Sequence, residues 1–128
     1  MGFGYQYDTM GRLASMTNTT CSYVNPITGA CDTYATNTSA SATYGTSGEL
    51  LTLQFGGTGA PTETFTYNSL LQLTHQVVPG GIDMQYVYSA GANNGRIAQS
   101  VDGILGETVN YSYDVLNRLT AAGATGGQ

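Results

Sequence analysis

The fold is decided by the stretch Tyr5-Gln6-Tyr7-Asp8-Thr9-Met10-Gly11-Arg12-Leu13, whose pattern returns further along the chain. Its two tyrosines are separated by one residue, so both rings lie on the same face of a β-strand. Asp8 follows the second tyrosine, where a short carboxylate accepts hydrogen bonds from turn N–H groups two or three residues on. The stretch 5–13 therefore predicts a strand, a hairpin turn and a second strand.

Further copies of this phrase carry residues of the same kind in the same places. They are 44–50 (Tyr44, Gly48, Leu50), 65–73 (Phe65, Tyr67, Asn68, Leu73), 86–97 (Tyr86, Tyr88, Gly95, Arg96, Ile97) and 111–119 (Tyr111, Tyr113, Asp114, Asn117, Arg118, Leu119). From the second copy onward the closing Leu or Ile recurs every 22–24 residues. That period holds about two strands and two turns. The chain 1–128 is predicted to be a single array of about five hairpin repeats.

The position before the arginine of the phrase carries information about the turn. It holds Gly11, Gly48, Gly95 or Asn117, and Gly and Asn adopt positive φ most readily. We therefore expect left-handed backbone there. Copy 65–73 places Leu71 at this position, so we expect that copy to turn differently. Copy 86–97 has three extra residues, at a place where a hairpin tip tolerates insertion.

The three arginines of the protein, Arg12, Arg96 and Arg118, each follow the turn Gly or Asn directly. A cation repeated in one place indicates a repeated structural contact. We expect each guanidinium to lie against a tyrosine ring or to pair with the preceding aspartate.

Two segments interrupt the repeat. An insert at about 18–40 contains Cys21 and Cys31, which enclose nine residues. In an exported protein we expect a disulfide here, limiting the entropy of an otherwise floppy loop; two free buried thiols are the alternative. The Gly-rich end, 121–128, is expected to be a flexible tail.

Composition narrows the class of protein. Only 9% of residues are charged, Lys is absent, Gly numbers 18 and the formal net charge is −5. Such a composition is typical of strands and turns. It provides no basic face that would bind nucleic acid or an anionic membrane surface. No apolar run approaches the roughly 18 residues that span a bilayer, so we expect no membrane insertion. The start lacks a basic stretch followed by an apolar one, so we expect a processed or excised chain.

Residues with catalytic or ligand-binding chemistry are few. His75 is the only histidine, and without a Ser or Cys partner we expect a solvent-facing strand residue rather than a general base. The eight carboxylates are scattered, so the sequence predicts no catalytic residue, no metal site and no cofactor.

Two features of the sequence concern carbohydrate. Asn18, Asn37 and Asn110 begin Asn-x-Ser/Thr triplets and are candidate glycosylation sites, although such triplets also arise by accident in a Thr-rich chain. The tyrosines are a candidate carbohydrate-binding face, with sheet packing as the alternative.

The repeated phrase resembles that of the YD-repeat, or rearrangement-hotspot (Rhs), family. The resemblance spans the chain apart from the Cys insert and the Gly-rich end, and it is closest at 5–13 and 111–119. It implies a sheet ribbon that coils hairpin after hairpin, and that closes into a hollow shell in full-length bacterial toxins and animal teneurins. Full-length Rhs proteins also carry a self-cleavage motif and a toxic C-terminus. Neither is found here, so neither activity is transferred.

Together these patterns predict an all-β, antiparallel β-hairpin array, open at both ends, in a bacterial extracellular or cell-surface protein. An open array exposes strand edges that need a partner. We therefore expect a non-enzymatic structural module that associates with itself or continues into further repeats, as a shell segment or a head-to-tail filament. An adhesion or glycan-binding module and a fragment of an Rhs toxin-encapsulating cocoon are the alternatives.

Overall fold

A computed structural model describes residues 2–91 and 93–127. Met1, Ala92 of the predicted insertion and Gln128 of the predicted tail lie outside the described residues. The described chain is all-β, without a helix, and none of it forms a helix of the length and apolarity that a membrane span requires. Its strands are β1 (Gly2–Tyr7), β2 (Leu13–Val24), β3 (Cys31–Tyr44), β4 (Leu50–Phe55), β5 (Thr62–Tyr67), β6 (Leu73–Val78), β7 (Ile82–Tyr88), β8 (Ile97–Asp102), β9 (Glu107–Tyr113) and β10 (Leu119–Gly126).

The chain folds as two compact units, Met1–Thr62 and Glu63–Gln128. In the first unit each of the strands β1 to β4 pairs antiparallel with the next. In the second unit β5 to β10 pair in the same way. Both units are therefore antiparallel meanders whose strand order follows the chain, as the sequence predicted.

All copies of the phrase share one strand pairing beside the turn. The aromatic residue before the turn pairs with the closing Leu or Ile, as Tyr7↔Leu13, Tyr44↔Leu50, Tyr67↔Leu73, Tyr88↔Ile97 and Tyr113↔Leu119. The residue after the closing Leu or Ile then has no opposite number, which makes a β-bulge at Ala14, Leu51, Thr74, Ala98 and Thr120. A bulge bends its strand and increases the local twist. The sequence period is thus also a period in backbone geometry.

The predicted left-handed position is confirmed at Gly11, Gly48, Gly95 and Asn117, whose φ values are 77°, 95°, 90° and 65°. The expectation that copy 65–73 turns differently was wrong. Leu71 also adopts positive φ, at 58°. The Asn68 carbonyl accepts from the Leu71 N–H at 3.0 Å, as the Asp8 carbonyl does from the Gly11 N–H at 3.0 Å. The hydrogen-bonded turn therefore overrides the preference of Leu for negative φ.

The insert at 18–40 is not a floppy loop. It lengthens β2 and β3 into strands of 12 and 14 residues, closed by a short turn at 25–30. Asn25 stabilises that turn through its Oδ1, which accepts from the N–H groups of Ile27 and Thr28 at 2.9 Å and 3.2 Å. Near the turn Cys21 and Cys31 form the predicted disulfide. A disulfide is typical of exported proteins.

The Gly-rich end is not a free tail either. Residues up to Gly126 form β10, which pairs with β9 from Leu119↔Tyr113 to Gly126↔Glu107. Ala and Gly have low strand propensity, but the hydrogen bonds of a sheet are made by the backbone and do not need a large side chain.

No apolar side chain is buried in the described part of the chain, where Ser100 alone counts as buried. In the first unit Leu13, Leu50, Leu53 and Phe55 help to line an open apolar groove of about 310 Å³. Each unit is held together by the backbone hydrogen bonds between its strands and by the side-chain contacts along them.

Candidate functional site

The aspartate of the phrase organises its own turn. Asp8 Oδ1 accepts from the N–H groups of Met10 and Arg12, each at 2.9 Å, and Asp8 Oδ2 accepts from Arg12 Nε at 2.7 Å. The prediction of turn chemistry is confirmed, except that the second N–H donor lies four residues on rather than three. Because the backbone N–H of Arg12 bonds the carboxylate, the pKa of Asp8 is lowered. One carboxylate thus fixes both the turn and the guanidinium.

The last copy repeats this arrangement. Asp114 Oδ1 accepts from the N–H groups of Leu116 and Arg118 at 2.9 Å, and Asp114 Oδ2 accepts from Arg118 Nε at 2.7 Å. The backbone N–H of Arg118 lowers the pKa of Asp114. The two ends of the chain therefore present a guanidinium that is oriented in the same way.

The oriented guanidinium contacts the next repeat. Arg12 Cζ lies 4.6 Å from the centroid of the Tyr44 ring, and Arg12 Nη1 donates to the Gly45 carbonyl at 3.0 Å. In the second unit Arg96 Cζ lies 5.0 Å from the centroid of the Tyr113 ring. Both predicted partners of the arginines, ring and aspartate, are thus found. Arg96 has no aspartate before it, and its Nε donates instead to Asn94 Oδ1 at 2.9 Å.

The tyrosine of the next repeat returns a hydrogen bond. The hydroxyl of Tyr44 donates to the carbonyl of Leu13 at 3.0 Å, that of Tyr88 to Leu73 at 2.9 Å and that of Tyr113 to Ile97 at 2.9 Å. Burial raises the pKa of the Tyr88 hydroxyl. We name this bond from the tyrosine hydroxyl to the closing carbonyl the repeat clasp. At Tyr44 and Tyr113 the clasp includes the contact of the ring with the preceding arginine.

The clasp recurs in one register. The residue two after the closing Leu or Ile pairs with the residue three before the clasp tyrosine, as Ser15↔Ser41, His75↔Gln85 and Gln99↔Asn110. One pair further along, the partners are Met16↔Ala40, Gln76↔Met84 and Ser100↔Val109. Successive repeats within each unit therefore join by one geometric rule.

Copy 65–73 shows what replaces the guanidinium. Gln72 stands at the arginine position and exchanges two hydrogen bonds with Asn93, at 2.9 Å and 2.7 Å. Asn93 belongs to the insertion of the next copy, so the extra residues supply an amide where the tyrosine has no cation to face. An amide pair thus substitutes for the cation–π contact.

The hairpin after β9 and the strand β1 each show half of a clasp without its partner. The side chain of Arg118 is 73% exposed, whereas that of Arg12 is 23% exposed. Tyr7, the tyrosine of the first copy, is 63% exposed, and Tyr5 is exposed beside it. Within residues 2–91 and 93–127, Arg118 thus has no ring against its guanidinium, and Tyr7 has no guanidinium against its ring.

The remaining predicted residues fall outside this site. His75 is half-exposed on β6, and its Nε2 lies 2.7 Å from Asp83 Oδ1 on β7, a partner that the sequence did not reveal. No group of His, Cys, Asp and Glu in residues 2–91 and 93–127 has the arrangement of a metal site. Asn18 and Asn37 are register partners on β2 and β3, and Asn110 is exposed on β9. Glycosylation of these asparagines stays a prediction.

Sequence reasoning missed the tyrosine hydroxyl bond, the bulge and the Gln72–Asn93 pair. The period of the phrase contained a signal for the first, because the clasp tyrosine always stands beside the turn. The bulge and the amide pair depend on strand register, which one sequence does not display.

Replacing Tyr88 by Phe is expected to lower the free energy of unfolding by about 0.5–1.5 kcal/mol, because the Leu73 carbonyl loses its donor while the ring remains. Tyr86, two residues earlier on the same strand, makes no such bond in the described part of the chain. Tyr86→Phe should change stability by less than about 0.5 kcal/mol. Urea denaturation of both variants measures the difference, and equal effects would contradict the clasp.

Acidification is expected to weaken the turns of the first and last copies. Asp8 and Asp114 have lowered pKa values in the folded chain, so their contribution is present above the unfolded pKa of about 3.9 and is lost as pH falls through the folded pKa. Stability measured by urea at pH values from about 5 down to about 2 should therefore decline. The double variant Asp8→Asn, Asp114→Asn should decline less steeply.

The residues of the repeat clasp are those of the repeated phrase. No protein-family model matches the chain, and no curated protein sequence matches it.

Proposed function

We propose that this chain is a non-enzymatic structural module that assembles by sheet extension, as a shell segment or as a head-to-tail filament. The observation that carries the proposal is the recurrence of the clasp in one register between successive repeats of each unit. A contact that joins each repeat to the next by a fixed rule can be continued by any further repeat.

The strand edges support the same proposal. β1 and β10 are the outer strands of their units, and neither contains a charged residue or a proline. Charged side chains and prolines are the usual guards of an exposed edge against another strand. The low charged fraction of 9% further weakens electrostatic repulsion between copies. The edge strands of this chain thus lack the residues that normally prevent pairing with a further strand.

The setting that we propose is the exterior of a bacterial cell, as a secreted or surface protein. The disulfide between Cys21 and Cys31 supports it, because such bonds persist in oxidising compartments. The resemblance to YD repeats supports a shell wall in particular, and a fragment of an Rhs toxin-encapsulating cocoon is one form that such a wall takes.

A second candidate is adhesion or carbohydrate binding, and one observation favours it. Four tyrosines of the first unit, Tyr5, Tyr7, Tyr23 and Tyr34, are exposed on their strands. Exposed aromatic rings stack on sugar rings. In this case the chain would act as a monomer with affinity for glycans.

The test is light scattering of the purified chain over a range of concentration, with electron microscopy of the same samples. Polymers or ribbons are expected at high concentration. A monodisperse monomer at every concentration would contradict assembly, and a monomer that also binds polysaccharide would favour the second candidate.

A matched pair of variants connects assembly to the edge. Ala122→Lys places a charge on β10, while Val115→Lys adds the same charge in a turn residue that is 98% exposed. Only Ala122→Lys is expected to suppress polymers, because only that charge guards a strand edge.

A further inference from the structure

We infer that β10 is the docking site for β1 of a second copy of this chain, and that the two join by completing a repeat clasp between Arg118 and Tyr7. The inference rests on the proposed assembly and deepens it by naming the partner, the residues and the register of the contact.

The docking site is preformed on β10. Asp114 holds Arg118 Nε at 2.7 Å, the distance at which Asp8 holds Arg12 Nε. Arg12 lies under the Tyr44 ring and is 23% exposed, whereas Arg118 is 73% exposed. The guanidinium of Arg12 is therefore covered by the next repeat, whereas that of Arg118 is not. The residue that covers Arg12 is a tyrosine at the end of a strand.

The matching strand is β1. It ends at Tyr7, as β3 ends at Tyr44 and β9 ends at Tyr113, both of which complete clasps. β1 pairs with β2 on one side. Its tyrosine is 63% exposed, and no described strand pairs with its other edge, which leaves backbone donors and acceptors available there. A second copy therefore presents, in one strand, both the ring and the hydrogen-bonding edge that β10 requires.

The repeat rule fixes how the two strands align. Applied to Leu119 and Tyr7, the register shared by the internal contacts pairs Ala121 with Gly4 of the second copy and Ala122 with Phe3. The Tyr7 hydroxyl then donates to the Leu119 carbonyl, and the ring lies against the Arg118 guanidinium. The facing residues are small except for Phe3, so the two backbones approach without a steric obstacle.

This contact cannot close on itself as a symmetric pair. It joins the first strand of one copy to the last strand of another, so it is heterologous, and each added copy presents a new Arg118. The contact therefore makes a polar array of copies, which continues as a filament unless its rotation closes it into a ring.

Cysteine cross-linking tests the register. The native cysteines are paired, so Phe3→Cys in one copy and Ala122→Cys in another introduce the only free thiols. Cα atoms of paired strands lie about 4.5–5.5 Å apart, within the range that a disulfide spans. A mixture of the two variants is expected to form a covalent heterodimer on mild oxidation. The matched control mixes Phe3→Cys with Ala121→Cys, where a slip of one residue places the thiols on opposite faces.

Loss of the clasp side chains tests the contact itself. Arg118→Ala and Tyr7→Phe are each expected to raise the concentration at which the chain assembles, Arg118→Ala by about tenfold, or ~1.4 kcal/mol. Ile27→Ala, which changes a side chain that is 93% exposed in the turn at 25–30 and belongs to no clasp, is the control and is expected to assemble near the wild-type concentration.

The outcomes separate the inference from the proposed function. Assembly of the wild-type chain together with a cross-link at Phe3 and Ala122 supports both. Assembly with cross-linking in another register, or with Arg118→Ala as effective as wild type, overturns the clasp and leaves assembly by sheet extension standing. A wild-type chain that stays monomeric overturns both.

Discussion

Replacing Arg12 by Ala is expected to lower the free energy of unfolding by about 1–2 kcal/mol, because the variant loses the Tyr44 ring contact and the hydrogen bond to the Gly45 carbonyl. The aspartate that orients the guanidinium loses its partner as well. Urea denaturation followed by circular dichroism measures the change.

The control for this prediction is built into the repeat. Arg118→Ala removes an arginine with the same aspartate pairing, but its side chain is 73% exposed. The dilute monomer should lose less than about 0.5 kcal/mol, as surface substitutions usually do. If the two variants were equally destabilised, the contact of Arg12 with the next repeat would contribute nothing to the free energy of unfolding. Only the hydrogen bonds within the turn would then matter.

Replacing Gly11 by Val is expected to destabilise the chain by about 2 kcal/mol or more. The φ of Gly11 is 77°, in the left-handed region that β-branched residues avoid. A Cβ atom at this position would meet nothing within 4 Å, so the cost is conformational rather than steric crowding with a neighbour. Thermal or urea unfolding measures it.

At Leu71 the same conformational preference predicts a change of stability in the opposite direction. It occupies the equivalent position at a φ of 58°, and its side chain is exposed, so little packing is lost with it. Leu71→Gly is expected to stabilise the chain by up to about 1 kcal/mol, the relief of left-handed strain less the added entropy of Gly in the unfolded chain. A destabilised Leu71→Gly variant would show that this side chain has a contact of its own to lose.

Much of the fold could be predicted from the sequence, because each hairpin is a local event. The aromatic pair, the turn carboxylate or amide and the left-handed Gly or Asn lie within nine residues of one another in the first copy, 5–13. Contacts of that range are specified by residue type and spacing. The disulfide was predictable for the same reason, since its cysteines are close in sequence.

The errors came where backbone pairing overrides residue preference. The segment 121–128 reads as a tail because Ala and Gly are weak strand formers, yet β9 offers an edge and β10 forms on it. The insert reads as a loop, yet its Thr-rich halves pair with each other, as in Thr19↔Thr36. Leu71 adopts the positive φ of glycine because the hydrogen bonds of its turn are those of the copies at 5–13, 44–50 and 111–119.

The candidate site was half predictable. The arginines could be assigned to a repeated contact from their position alone, and both kinds of partner were anticipated. The direction of that contact, from each repeat to the tyrosine of the next, depends on strand register. So does the difference between Arg118 and the other two arginines, which is a difference of neighbours rather than of sequence.

The central claim is that tyrosines of one repeat clasp the arginines of the repeat before it, and it can be tested directly by proton NMR. The chain has three arginines, so labelling arginine alone with carbon-13 leaves three side-chain methylene signals next to a guanidinium to assign. In dilute solution those of Arg12 and Arg96 should be shifted upfield by the rings of Tyr44 and Tyr113, while those of Arg118 should lie near their unfolded position. Three equivalent, unshifted arginines would contradict the account.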